Sequence, residues 1–179
     1  MDNEVTKTAR VDLGNAYVLS QGEQSYAAQT LGNLNVGGYI KAAGAGAFSI
    51  VAVDNDVAET NSVNAGSGSY LKTTGAGSDI NMFAVDDLDI RVIGVADTQG
   101  GAVGGASSNV GNSLTRTNKV NVDGHLYSMN NVNLTAGGNA SELDLVLSSE
   151  AYNKTALAVS VPTYGNRLQQ NGQVTVGPG

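Results

Sequence analysis

Residues 8–20 read TARVDLGNAYVLS, residues 60–73 read TNSVNAGSGSYLKT and residues 117–129 read TNKVNVDGHLYSM. Each stretch carries Thr, Val, Gly and Tyr in the same order: Thr8, Val11, Gly14 and Tyr17, then Thr60, Val63, Gly66 and Tyr70, then Thr117, Val120, Gly124 and Tyr127. The copies begin 52 and 57 residues apart. Repetition at a nearly fixed spacing points to a unit that stacks on copies of itself, because one such unit cannot bury its apolar face alone. A second similarity, overlapping the first, joins YIKAAGAGAFSIVAVDND from Tyr39 to YLKTTGAGSDINMFAVDDLD from Tyr70, with one gap before the shared Ala-Val-Asp.

Between the repeat positions the apolar residues alternate with polar ones. Ile80, Met82 and Ala84 do so, as do Leu88, Ile90 and Val92, Leu143, Leu145 and Leu147, and Leu157, Val159 and Val161. A period of two places one row inward and the other toward solvent, whereas a helix would scatter these residues around its circumference. The Ala-rich stretch from Ala42 to Ala47 is broken by Gly44 and Gly46, each costing about 1 kcal/mol in a helix, and reads as a turn or tight corner. The fold expected is all-β: a right-handed parallel β-helix, or solenoid, with a β-sandwich as the alternative. Residues 1–179 read as one repetitive segment without an internal boundary, and the Gln-, Asn- and Gly-rich tail from Tyr164 is expected to be its most loosely held part.

Composition agrees with stacked layers of small side chains. The chain has 24 glycines, 5% aromatic residues, no Trp and no Cys, so neither a large aromatic core nor a disulfide frame or thiolate metal site is available. The formal net charge of -7 comes with no Lys/Arg cluster, which argues against nucleic acid and anionic lipid as partners. No apolar run is long enough to span a bilayer, so no membrane insertion of this segment is expected. The start Met1-Asp2-Asn3-Glu4 lacks the basic and apolar regions of a signal peptide, and the segment is read as a piece of a much larger chain.

Three features carry a resemblance to a known family. They are the GAGSDINMFA strand followed by an acidic turn at Asp86 and Asp87, the Gly- and Ala-rich residues 100–106, and the strand-forming run from Asn131 to Gly138. Together they make most of the chain resemble the repeat region of leukotoxin-type filamentous adhesins, the two-partner-secreted, haemagglutinin-like exoproteins of Gram-negative bacteria. The resemblance implies a virulence-associated, secreted filament at the cell surface, exported through a dedicated outer-membrane pore, acting as adhesin or toxin stalk. The partners it implies are a host-cell surface protein or glycan. The segment itself is expected to be a non-enzymatic monomer with weak end-to-end stacking, since the ends of such a stack leave strand edges unpaired.

Candidate chemistry is sparse. His125 is the single histidine, so any Ser-His-Asp arrangement would have to use it. Asp54 and Asp56, with Asp86, Asp87 and Asp89, fall at similar positions of the second repeat and could line one edge to hold calcium, although the glycine-aspartate nonapeptide of calcium-binding rolls is missing. Asp87, Asp89 and Arg91 share one face of a strand, which is the arrangement a polysaccharide lyase or hydrolase on a β-helix would need. Tyr17, Tyr39, Tyr70 and Tyr127 recur and could form a ladder offering rings to a sugar. Asn133, Asn139 and Asn153 begin glycosylation-like triplets. No catalytic residue, metal ligand or cofactor is assigned, and the binding surface is left unknown.

Overall fold

The computed structural model describes residues 1–43, 49–99, 106–137, 145–154 and 160–177. Every regular element among them is a strand: β1 (Asp2–Asp12), β2 (Tyr17–Ser20), β3 (Gln24–Ala43), β4 (Ser49–Ala65), β5 (Tyr70–Thr73), β6 (Ile80–Gln99), β7 (Ala106–Val122), β8 (His125–Tyr127), β9 (Val132–Ala136), β10 (Leu145–Lys154) and β11 (Ser160–Val176). They form three open sheets. Sheet A runs β1-β4-β7-β11, sheet B runs β2-β5-β8, and sheet C runs β3-β6-β10 with β9 also on β6. Each passage of the chain visits A, then B, then C, before returning to A beside its previous strand. All pairings are parallel, which removes the sandwich alternative, whose sheets would be antiparallel.

The register of sheet A is the repeat seen in the sequence. Thr8 pairs with Thr60 and Thr60 with Thr117, while Val11, Val63, Val120 and Val174 form one continuous row. Val63 and Val120 are fully buried, each contributing about 1.5–3 kcal/mol by leaving water. The repeated glycines mark the corner that follows. Gly14 has φ +51, and a Cβ on Gly66 would lie 2.6 Å from the Gly14 carbonyl oxygen. A Cβ on Gly124 would in turn lie 2.6 Å from the Gly66 oxygen, so successive passages turn too close together for any side chain.

Sheets A and C face each other along their length, and sheet B closes one end. Leu71 of sheet B packs with Val63 and Val120 of sheet A and Ile80, Met82 and Ala84 of sheet C. Farther from sheet B, Val57 and Leu114 meet Leu88, Ile90 and Val92. Farther still, Val53 and Val110 meet Ala96. Ile80, Met82, Ala84, Leu88, Ile90 and Val92 all point inward, as their alternation requires.

Several expectations need correction. Asp86 and Asp87 lie inside β6 and not in a turn, and Asp86 points into the interior. Within the polar tail, residues 164–176 belong to β11, which pairs with β7 over Ser160–Val176. Tyr39 lies in β3 opposite Val95, whereas Tyr70 lies in β5 opposite Tyr17, so the second sequence similarity matches no pairing. Ala42 and Ala43 end β3 as strand residues, while 44–48 fall outside the described residues, as do 100–105, Leu143, Leu157 and Val159. Among the described residues no helix is long and apolar enough to cross a membrane.

Candidate functional site

Strand alternation decides which polar residues meet solvent and which meet each other. On the outer face of sheet B, Tyr17 pairs with Tyr70, and their rings stack with centroids 5.1 Å apart at 10°. Register places His125, not Tyr127, opposite Tyr70, and Tyr127 opposite Lys72. Tyr127 still leans on Tyr70 at 5.2 Å and 39°, with His125 edge-on to Tyr70 at 6.5 Å. The ladder therefore contains Tyr17, Tyr70 and Tyr127 and excludes Tyr39. A sugar ring docks on an open aromatic face, but stacking turns the facing sides of Tyr17 and Tyr70 toward each other. His125 sits in this aromatic setting and not in a triad.

The lyase-like row is real as a row. Asp87, Asp89 and Arg91 all project from the outer face of β6, opposite Leu31, Asn33 and Asn35 of β3. Asp87 and Arg91 are exposed. The shallow cleft that Arg91 lines, about 270 Å³, is completed by Asn35, Val36, Gly37 and Ile93 and contains neither aspartate.

The acidic residues do not form one line. Asp54 and Asp56 point outward from sheet A beside Asp2 and Glu4, while Asp87 and Asp89 point outward from sheet C and Asp86 points in. Among the described residues no group of three His, Asp or Glu could hold a metal ion. The glycosylation-like asparagines are engaged: Asn133 donates to Asn81 Oδ1 at 2.8 Å and Asn153 accepts from Ser108 Oγ, while Asn139 lies outside the described residues.

The interior holds what sequence reading missed. Between the first and second apolar clusters, Arg116 is buried with Glu59 and Asp86. Its Nε lies 3.2 Å from Glu59 Oε2 and its Nη1 3.2 Å from Asp86 Oδ2, while Nη2 donates to the Leu88 carbonyl at 2.6 Å. Asn118 donates to Asp86 Oδ1 at 3.0 Å, and Asn61 donates to Asn118 Oδ1 at 3.0 Å. The two ion pairs are close but poorly aligned, leaving Arg116 Nε and Nη1 without a hydrogen bond. Burial pushes the Glu59 carboxyl above its ordinary range, with Arg116 pulling it back, Asp86 adding to the rise, and Asn61 and Lys7 opposing it.

Between the second and third apolar clusters runs a neutral band. Asn3, Asn55, Asn112 and Asn166 occupy one inward row of sheet A. Asn3 donates to Asn55 at 2.8 Å, Asn55 to Asn112 at 2.8 Å and Asn112 to Asn166 at 3.0 Å. Gly94 of sheet C makes room for it: a Cβ there would lie 2.4 Å from Val110 Cγ1 and 3.2 Å from both Asn112 Oδ1 and Asn55 Nδ2. The signal was present in the sequence, because the spacing that relates Thr8, Thr60 and Thr117 also relates Asn3, Asn55 and Asn112, and Lys7, Glu59 and Arg116. These polar bands are structural, aimed inward and enclosed by apolar rows. Comparison with protein-family models, curated proteins and solved structures finds no match for the chain.

Proposed function

We propose that the chain is a segment of a right-handed parallel β-helix whose task is mechanical: to extend a secreted filament from a bacterial surface, as adhesin or toxin stalk, without catalysis. The observation that carries this reading is the repeated A-B-C order of parallel strands, in which each passage adds one layer to the same three sheets. Parallel strands joined by a crossover are right-handed in nearly all proteins, which supports the hand. Stacked layers make an object that grows in one direction, and the polar effort of this chain goes into holding layers in register. The resemblance to two-partner-secreted adhesins supports the extracellular location and a host glycan or surface protein as partner.

The test is to read the complete open reading frame and its neighbour in the source DNA. A secretion signal, many further repeats and an adjacent outer-membrane pore gene are expected. A frame confined to these 179 residues with no such neighbour would overturn the filament reading.

One observation favours a second reading, a polysaccharide lyase or hydrolase: the shared outward face of Asp87, Asp89 and Arg91. Cleavage of any member of an acidic and neutral polysaccharide panel, lost in Asp89→Asn, would establish it. Inactivity across that panel is the outcome expected from a stalk.

A further inference from the structure

The outer face of sheet B gathers three of the chain's 7 tyrosines. Tyr17 and Tyr70 stack with centroids 5.1 Å apart and planes 10° from parallel, and Tyr127 lies against Tyr70 at 5.2 Å. Among the described residues the close ring pairs all belong to this ladder, so Tyr26, Tyr39, Tyr152 and Tyr164 stand apart from it. Tyr17 and Tyr127 are 71% and 50% exposed, and Tyr70 is half-buried between them. Both pairs join one layer of this chain to the next, and they hold whether or not further layers flank it.

We propose that the ladder is a site of oxidative cross-linking, in which Tyr70 couples to Tyr17 or to Tyr127 to give dityrosine. The co-reactant is a one-electron oxidant, a haem peroxidase supplied with hydrogen peroxide. It takes one electron from each phenol of a pair, and the phenolic protons leave to water. The unpaired spin of each phenoxyl lies partly on the ring carbons ortho to oxygen, Cε1 and Cε2. One such carbon of one ring bonds to its counterpart on the other, and the two hydrogens displaced from those carbons restore the hydroxyls. The pair has then lost two hydrogens, and one peroxide has become two waters.

Coupling of free phenols is a bimolecular event, whereas here the strands hold the two rings side by side, so the encounter is already made. Tyr17 and Tyr127, being exposed, have room to tilt toward Tyr70 as the bond forms. The chain has no cysteine, so no thiol intercepts the oxidant. The product is a covalent link between successive layers, a staple of the kind that disulfides supply elsewhere. Ring geometry alone carries it, and the filament reading stands if it fails.

Haem peroxidase and hydrogen peroxide are added to the full chain at a concentration low enough that molecules seldom meet, and the products are separated by size and digested for mass spectrometry. A monomer lighter by two hydrogens is expected, with blue biphenol fluorescence and with the bond mapped to Tyr17 with Tyr70 and to Tyr70 with Tyr127. Tyr70→Phe keeps an aromatic ring in the stack and should abolish that product. Tyr17→Phe and Tyr127→Phe should each leave the other link, and Tyr39→Phe should change nothing. The same treatment in concentrated urea should scatter the bonds among all 7 tyrosines. Bonds spread evenly over the tyrosines of the native chain, coupling only between molecules, or undiminished product in Tyr70→Phe would overturn the proposal.

Discussion

The interior carries two polar bands, one neutral and repeated from layer to layer, the other charged. The amide row of Asn3, Asn55, Asn112 and Asn166 bonds each side chain to the same residue type in the next layer, and its Nδ2 groups also reach sheet C, Asn112 donating to the Ser148 carbonyl at 2.7 Å and Asn166 to the Leu147 carbonyl at 3.2 Å. The Arg116 band crosses between sheets, reaching from β7 to Glu59 on β4 and to Asp86 and the Leu88 carbonyl on β6. A ladder of neutral amides fixes layer against layer, and identical rungs make it tolerant of length. The charged band fixes sheet A against sheet C and, among the described residues, stands at one level. Both bands join sheet A to sheet C; the neutral amides do so by the same kind of contact in successive layers, whereas the charged band concentrates an arginine and two carboxylates at one level, where loss of one partner leaves a charge buried and unpaired.

Removing the centre of the charged band should do the most damage. Arg116→Met leaves Glu59 and Asp86 buried beside each other without their cation, a loss of about 3–5 kcal/mol in urea unfolding. Replacing Arg116, Glu59 and Asp86 together by apolar residues of similar volume should recover most of that stability. If the triple variant is as unstable as the single one, packing and not charge governs the band, and the contrast drawn above collapses.

The amide ladder should break more gently. Asn112→Ala removes the acceptor of Asn55 Nδ2 and the donor to the Ser148 carbonyl, costing about 1–3 kcal/mol, whereas Asn3→Ala removes only an end rung and should cost about 0.5–1.5 kcal/mol. Equal losses at the two positions would show that the rungs act independently of their place in the row.

Titration separates the bands again, because only one contains ionisable groups. The folded-state pKa of Glu59 is raised by burial, so the native chain binds a proton on Glu59 more readily than the unfolded chain does. Its contribution is fully present below the unfolded value and is lost as pH rises through the folded value. Stability should therefore climb as pH is lowered from neutral toward the ordinary glutamate range. Glu59→Gln should flatten that climb, a smaller effect than loss of Arg116, since Arg116 already offsets part of the burial. An unchanged pH profile in Glu59→Gln would assign the dependence to other carboxylates.

Much of the fold was legible because apolar alternation and the spacing of Thr8, Thr60 and Thr117 are direct consequences of strand geometry and layer stacking. The polar bands escaped notice because inward position was equated with apolar character. Asn55 and Arg116 alternate in phase with Val57 and Leu114, and that phase, not hydropathy, announced their burial. The tyrosine ladder was half legible: Tyr70 and Tyr127 keep the spacing of Thr60 and Thr117, but the corner from Asn121 to His125 is two residues shorter than the one from Asn64 to Tyr70, which brings His125 opposite Tyr70 and moves Tyr127 along to Lys72. The surface rows of aspartates misled because equivalence was sought between sequence segments that lie in different sheets.

The smallest expected effect falls on an outward rung. Asn64 and Asn121 pair in sheet A by the same amide contact, Asn121 donating to Asn64 Oδ1 at 2.8 Å, but on the outward, half-exposed side. Water can replace either partner there, so Asn121→Ala should change stability by no more than about 0.5 kcal/mol. The same substitution at Asn112 removes an amide from the same strand and sheet. What differs is access to solvent together with the bonds from Asn112 to the Ser148 carbonyl and Ser149 Oγ, so the gap between the two unfolding free energies measures what the buried setting adds to one rung. A gap near zero would mean that the inward ladder, like the outward pair, is matched by water, and that layer register is held by the valine row beside it.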